Sequence, residues 1–153
     1  MDASTIRPAT TADVAAISDL IRRTVRLSNA PDYGVAVAEL IAADHGPDKV
    51  ARRLAERDVF VCVEGARIVG TIGLGGDRLH SLFVEPGLQG KGIGARLVAH
   101  LEAHARAAGV VELLLSSSIT ARGFYERLGY RLIRFDERAD GSTFLMSKTL
   151  TDC

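Results

Sequence analysis

The chain is poor in the residue types that staple small secreted proteins and in the apolar runs that anchor proteins in membranes. Its 153 residues include no tryptophan and only two cysteines. Cys62 lies in an apolar run and Cys153 is the last residue, so the pair is not typical of a disulfide framework. No apolar run approaches the roughly 18 residues of a membrane helix, and residues 1–7 lack the apolar stretch of a signal peptide. These absences predict a cytoplasmic protein with no membrane partner.

The chain also lacks a net charge, because 19 Lys and Arg balance 19 Asp and Glu. Proteins that bind nucleic acid usually carry a large basic excess, so we expect no nucleic-acid partner. The charge is nevertheless unevenly distributed. Between Pro86 and Arg131 three glutamates are outnumbered by six basic residues, which are Lys91, Arg96, Arg106, Arg122, Arg127 and Arg131. This local excess favours an anionic ligand in the C-terminal half.

The apolar residues that are present, 47% of the chain, follow helical and strand periods typical of a globular protein. The patterns predict one mixed α/β (α+β) domain over residues 1–153, in the order β-α-α-α-β-β-β-α-β-α-β-β. Strands are expected at 5–9, 58–64, 67–74, 78–85, 110–115, 130–136 and 142–150. Helices are expected after Asp13, at 35–43, 47–57 and 120–128, and from the turn near residue 90 to Gly109, with a turn-rich break at 28–34.

The most informative segment is a glycine-rich turn between a strand and a helix, Gln89-Gly-Lys-Gly-Ile-Gly94. Glycine lets a ligand approach the backbone closely, and the N–H groups at the positive end of a helix can hold a phosphate or pyrophosphate. Lys91 would add a full positive charge. The segment therefore predicts a site for a phosphate-bearing ligand.

The turn has three other interpretations. A Walker A loop is excluded, because two residues rather than four separate Gly87 from Gly90-Lys91 and no Ser or Thr follows. Gly90, Gly92 and Ala95 formally meet the dinucleotide fingerprint, but the motif follows a late strand rather than the first, which disfavours a nicotinamide or flavin site. A plain turn that binds nothing is the third interpretation.

Three motifs together give the chain a family resemblance. The turn Gln89–Gly94 is similar to a Q/R-x-x-G-x-G/A signature. The first motif of the same family is similar to the opening Ile6-Arg7-Pro8-Ala9-Thr10 with Asp13. Its last motif is similar to Phe124-Tyr-Glu-Arg-Leu-Gly-Tyr130. On these motifs the chain resembles the GNAT N-acetyltransferase superfamily over about its whole length.

The resemblance implies a single acyl-CoA N-acyltransferase domain with a mixed, mostly antiparallel sheet that splays between its fourth and fifth strands. Acetyl-CoA would be the co-substrate, with no metal. Its pantetheine arm would pair with the strand edge Leu82, Phe83 and Val84. Its pyrophosphate would lie on Gln89, Gly90, Lys91, Gly92, Ile93, Gly94 and Ala95. Ser118, where the family often has Asn, and Ala121 would complete the cofactor site.

The resemblance also implies a catalytic acid, Tyr125, which would donate a proton to the departing CoA thiolate; a packed aromatic is the alternative. The base is less defined. Several relatives carry an acid on the fourth strand, where this chain has Arg78, which cannot accept a proton. His80 would share a strand face with Leu82 and Val84 by the two-residue period, and its ordinary pKa suits a base. Glu85 and an ordered water remain alternatives.

These features predict transfer of the acetyl group of acetyl-CoA to a primary amine by direct attack in a ternary complex. The alternatives are an acyl-CoA-binding sensor or scaffold without transferase activity, motivated by the missing carboxylate, and a structural interaction domain. The acceptor would be a small-molecule or peptide amine, bound near the first helices by side chains among Asp32, Tyr33, Asp44 and His45.

His100 and His104 have no third metal ligand, so no metal is expected. The closing strand at 142–150 could pair across a homodimer.

Overall fold

A computed structural model describes residues 4–137 and 142–150. The seven strands are β1 Ser4–Pro8, β2 Asp58–Glu64, β3 Arg67–Gly75, β4 Arg78–Val84, β5 Glu112–Ser117, β6 Arg131–Asp136 and β7 Thr143–Thr149. The α-helices are α1 Val14–Thr24, α2 Ala30–Tyr33, α3 Val35–Ala43, α4 Pro47–Glu56, α5 Ile93–Ala107 and α6 Arg122–Arg127. Within the described ranges, no helix is long and apolar enough to cross a membrane.

All seven strands belong to one sheet in the order β1-β2-β3-β4-β5-β7-β6. Every neighbouring pair is antiparallel except β4 and β5, which are parallel. The parallel pair joins at only two positions, Arg78 with Leu114 and Leu79 with Leu115. Beyond them the two strands separate, which confirms the predicted mixed sheet and its splay.

Apolar side chains cover both faces of this sheet. On one face α5 buries Leu97 and Leu101 in a cluster with Ile72, Leu113 and Met146. On the other face α1, α3 and α4 contribute a second cluster, which contains Ile17, Ile21, Val25, Ala38, Val50 and Val61. Burial on two faces explains why β3 and β5 read as nearly continuous apolar runs rather than as alternating ones.

The predicted break at 28–34 is wrong. The chain stays helical from α1 through a π-helical turn, Val25–Asn29, into α2. Pro31 lies in the first turn of α2, where its missing N–H and fixed φ are compatible with a helix. The backbone reverses only at Gly34, whose φ is +88°. The strand predicted at 110–115 begins at Glu112 in the structure, two residues later than expected.

The proposal that the closing strand pairs across a dimer is wrong in its geometry. β7 lies between β5 and β6 and pairs with both, so neither of its edges is available. The strand at this end of the sheet is β6, and its Leu132, Ile133 and Phe135 are exposed. The predicted turn at Asp140-Gly141 lies outside the described residues.

Asp13 fixes the junction between β1 and α1. Its carboxylate accepts two hydrogen bonds from the Arg7 guanidinium, at 2.8 and 3.0 Å, and one from the backbone N–H of Thr10 at 2.8 Å. The contact with Arg7 is the main cause that lowers the pKa of Asp13 from 3.8 to about 2. The folded pKa is below the unfolded one, so this stabilisation is present above about pH 4 and is lost as the pH falls toward 2.

We therefore expect Asp13→Asn to lower the free energy of unfolding at pH 7 by about 1 kcal/mol, because asparagine can still accept from Thr10 N–H but loses the partly exposed ion pair with Arg7. The deficit should shrink as the pH is lowered from 4 to 2, because the wild-type carboxylate is then protonated. Thermal unfolding of both proteins across this range measures it, with Asp19→Asn on the exposed face of α1 as the control. A deficit as large at pH 2 as at pH 7 would contradict the assignment.

Candidate functional site

The splay between β4 and β5 leaves two strand edges without a neighbour. Glu85 N–H donates to Val69 O of β3 at 2.9 Å, so the preceding residue, Val84, directs its own N–H and C=O toward the opening. On the other side, β5 continues to Ser117, paired only with β7. An extended ligand inserted here would meet backbone groups that pair with no other strand, as in strand addition.

Gln89 closes one end of this opening. Its Nε2 donates to Val84 O at 3.1 Å and to Ser28 Oγ at 3.3 Å, so the side chain ties the turn before α5 to the free edge of β4. The first half of the predicted cofactor segment is therefore joined directly to the predicted pantetheine edge.

The glycine turn has the backbone conformation that requires glycine. Gly90 and Gly92 have φ values of +82° and +87°. Gly92 is the N-cap of α5, and its carbonyl accepts the first helical bond from Arg96 N–H. The N–H groups of Ile93, Gly94 and Ala95 are therefore the orphan donors of the first helical turn. Beside them the side chain of Lys91 is exposed and has no ion pair with the described residues.

Gly94 and Ile93 also have structural roles. A Cβ at Gly94 would stand 3.1 Å from Cζ of Phe124 and 3.6 Å from Val84, so its absence lets Phe124 pack against the start of α5. Ile93 places its side chain in the core and is only 6% exposed. Any contact of these two residues with a cofactor would use their backbone.

The segment between β5 and α6 is organised by Ser118. Its Oγ accepts a hydrogen bond from Ala121 N–H at 3.1 Å, which closes the turn that leads into α6, whose N-cap is Ala121. Ser117 Oγ donates to Ser118 O at 2.8 Å. These bonds fix the chain where it leaves the open edge of β5.

Tyr125 lies on α6 and is 5% exposed. Its ring packs edge to face on Phe124 and Tyr130, with centroids 5.2 and 5.7 Å away. Burial raises the pKa of its phenol, so the hydroxyl is protonated at neutral pH. That hydroxyl makes no hydrogen bond with any residue that the structure describes. It is therefore a protonated hydroxyl within the cluster that α5 covers.

The interpretation that His80 shares a face with Leu82 and Val84 is wrong. Ser81, between them, has a φ of +53°, and the pairing of β3 with β4 shifts register at this point. The bulge breaks the two-residue period. Leu82 and Val84 pack on the α5 cluster, whereas the His80 ring lies beside Gly75 and Arg57 on the opposite face.

The two candidate bases near β4, His80 and Glu85, both have lowered pKa values. Burial, followed by the charges of Arg57 and Arg78, lowers the pKa of His80 to about 4. Glu85 is 8% exposed and binds Arg23 at 2.6 Å and Arg67 at 2.7 Å, and the bond to Arg23 is the main cause that lowers its pKa. Glu85 is therefore a structural carboxylate held between two arginines.

Sequence reasoning missed a bridge across the opening, formed by Asp32 and Tyr33. Tyr33 Oη donates to Ser142 O at 2.6 Å and accepts from Ile119 N–H at 2.8 Å. Thr120 Oγ1 donates to Asp32 at 2.7 Å. The bridge joins α2 to the segment that follows β5 and to the residue that precedes β7. No local signal could have shown it, because its partners lie far along the chain.

The other residues expected near the acceptor are engaged in internal contacts. Asp44 binds Lys49 at 3.0 Å and Arg53 at 2.7 Å. His45 Nδ1 lies 2.8 Å from Ile41 O, and its ring packs on Phe83.

His104 Nε2 contacts the carboxylate of Asp58 at 2.9 Å. Among the described residues no group of three or more His, Cys, Asp and Glu side chains could hold a metal ion.

Known proteins share this architecture. A family model described as an acetyltransferase (GNAT) domain matches residues 29–150. A GCN5-related N-acetyltransferase from Rhodopseudomonas palustris is 26% identical, with a TM-score of 0.91 and 98% of each chain covered. No curated protein sequence matches the chain.

Two further solved structures share the fold at lower identity. PaiA N-acetyltransferase from Thermoplasma acidophilum, in complex with coenzyme A, is 21% identical with a TM-score of 0.82, covering 97% of this chain and 99% of that one. Aminoglycoside 6'-N-acetyltransferase from Enterococcus faecium is 21% identical with a TM-score of 0.71, covering 97% and 98%.

Proposed function

Because the chain belongs to the GNAT acetyltransferase domain family, we propose that it transfers the acetyl group of acetyl-CoA to a primary amine. The observation that carries the proposal is the combination of two binding elements at one opening: the free edge of β4 at Leu82–Val84 and the glycine turn that caps α5. The first suits an extended amide-containing arm, and the second suits a pyrophosphate.

The proposed chemistry is direct attack in a ternary complex. The neutral amine nitrogen attacks the thioester carbonyl carbon, the C–S bond breaks and the sulfur leaves as a thiolate, and the positively charged nitrogen passes its proton to an ordered water and so to solvent. The N–H of Val84 faces the opening and would stabilise the developing oxyanion. Tyr125 would donate to the sulfur. Holding both reactants in one site would supply most of the rate enhancement.

The test is release of free thiol from acetyl-CoA against a panel of amines, with the acetylated product identified by mass spectrometry. Initial rates at several concentrations of both substrates should give intersecting double-reciprocal lines, because both must be bound before transfer. Parallel lines, or an acetylated protein formed without amine, would exclude direct attack. Tight binding of acetyl-CoA without turnover of any amine would favour a sensor or scaffold, the alternative motivated by Arg78 in place of an acid.

His80 provides a prediction on pH. With a pKa of about 4 it is already neutral at pH 5, so its titration cannot shape the rate between pH 5 and 8. We expect His80→Gln to reduce kcat less than about tenfold, against the 100-fold or more of a true general base. The pH profile over this range should keep its form. Loss of a rate step near pH 6 in the variant would restore His80 as the base.

A further inference from the structure

A cavity lies under the β4 bulge, on the face of the sheet that carries α1 and α4. It has a volume of about 30 Å³ and a mostly apolar lining from α1, α4 and β3, and Ser81, Arg53 and Arg57, the residue after α4, lie at its border. Ser81 directly precedes the Leu82–Val84 edge. The cavity therefore reaches the residue after which that edge begins.

Arg57 lies at the border of this cavity and of a second, open cleft of about 400 Å³ beside Pro8 and Thr10. Its stem lies over β3 at two glycines. A Cβ at Gly75 would stand 3.4 Å from Cγ of Arg57, and one at Gly73 would stand 3.9 Å from Cδ. The two glycines leave room for the arginine to lie flat on the sheet between both spaces.

The charge of Arg57 is not compensated within the described part of the chain. Its half-buried guanidinium has no hydrogen bond or ion pair there, in contrast to Arg53, which binds Asp44 through Nη1 to the carbonyl at 2.8 Å and through Nη2 to the carboxylate at 2.7 Å. Burial and the neighbouring Arg53 lower the pKa of Arg57, and Glu56 and Asp44 only partly oppose them. A half-buried cation without a partner costs folding free energy, which an anionic ligand would recover.

We propose that Arg57 binds a carboxylate of the acceptor, so that the substrate class is an amine that also carries a carboxylate, such as an amino acid or an acidic peptide. The guanidinium fork matches a carboxylate in geometry and charge. A polyamine would place a second cation against Arg53 and Arg57. The inference rests on the proposed acetyl transfer for the reaction, but the anion site itself does not depend on it.

The experiment compares amines that carry a free carboxylate with the same amines as carboxamides and as phosphonates. We expect the carboxylates to be acetylated with a kcat/KM about 10- to 100-fold above the carboxamides, the range of one charge-assisted contact. Arg57→Gln should abolish the preference. Arg52→Gln, an exposed position on α4, is the matched control and should keep it. Arg57→Gln should also unfold at the same or a higher temperature, whereas loss of a structural arginine would lower it.

A binding measurement separates this inference from the proposed function. N-acetyl amino acids and their amides are titrated into CoA-saturated protein by calorimetry. Arg57-dependent binding of the carboxylate form, without turnover of any amine, would sustain the anion site and refute acetyl transfer. Turnover of amines without a carboxylate preference would overturn the anion site alone, and preference for phosphonates would overturn the choice of carboxylate. Absence of both turnover and binding would overturn both proposals.

Discussion

Gly92→Glu is expected to weaken acetyl-CoA binding by at least 100-fold. The residue is the N-cap of α5, and a Cβ added there meets no atom within 4 Å other than those of its chain neighbours. The glutamate would therefore extend into the space proposed for the pyrophosphate and set a negative charge against it. Calorimetric titration with acetyl-CoA measures the loss.

The expected effect on the fold is smaller and has a separate cause. At a φ of +87° any residue with a Cβ is strained by about 1–2 kcal/mol, partly offset by about 0.3–1 kcal/mol for a carboxylate at a helix N-terminus. Gly92→Asn is the matched control, because asparagine tolerates the left-handed backbone and adds no charge. If Gly92→Glu folds and binds acetyl-CoA as the wild type does, the turn does not hold the phosphates.

Tyr125→Phe is expected to lower kcat about 100-fold or more while leaving acetyl-CoA affinity and melting temperature nearly unchanged. General acids contribute about 10²- to 10⁴-fold. Since no described residue bonds the hydroxyl, its removal breaks no contact within that part of the protein. A phenol with a raised pKa is a weaker acid than a free one, so its contribution is a hydrogen bond to the sulfur as much as a proton. The effect should shrink with thioesters of more acidic thiols, which need less stabilisation on departure.

Tyr130→Phe is the control for this prediction. Tyr130 Oη donates to Glu102 Oε2 at 2.8 Å in the core, and Lys148 Nζ donates to the same carboxylate at 3.0 Å. Removing that hydroxyl should cost about 1.5–3 kcal/mol of stability, the range for a hydrogen bond to a charged group, with little change in kcat. Equal kcat losses in the two variants would show that Tyr125 acts only through packing.

The sequence signals were sufficient where local chemistry decides the structure. Gly90 and Gly92, two of the glycines by which the turn is identified, adopt positive φ values, and Asp13 forms the expected helix start. The sequence signals failed where contacts between distant parts of the chain decide the local structure. Asn29, Pro31 and Gly34 are turn formers, yet the segment before Gly34 stays helical because α2 is held by Thr120 and Ser142 across the opening.

The candidate site shows the same division. A positive φ is usually indicated by a glycine in the sequence, but here the residue is Ser81. The two-residue period therefore assigned His80 to the wrong face of β4. The role proposed for Arg57 depends on the glycines of β3 beneath it and on the lack of an ion pair between its guanidinium and any described acid. Neither relation can be read from the ten residues on either side. The splay itself came from the family resemblance, since no pattern within β4 or β5 indicates that two parallel strands separate after two pairs.

The separation of β4 and β5 has a consequence for regulation by metabolite supply. In the proposed function, the strand edge and the glycine turn contact the pantetheine arm and the pyrophosphate, which acetyl-CoA and its product share. The acetyl group is a small part of that contact, so free CoA would occupy the opening almost as well as the acetylated form. Turnover would then follow the ratio of acetyl-CoA to CoA rather than the concentration of acetyl-CoA alone, and departure of CoA, which must break the same backbone bonds, would be a slow step of the cycle.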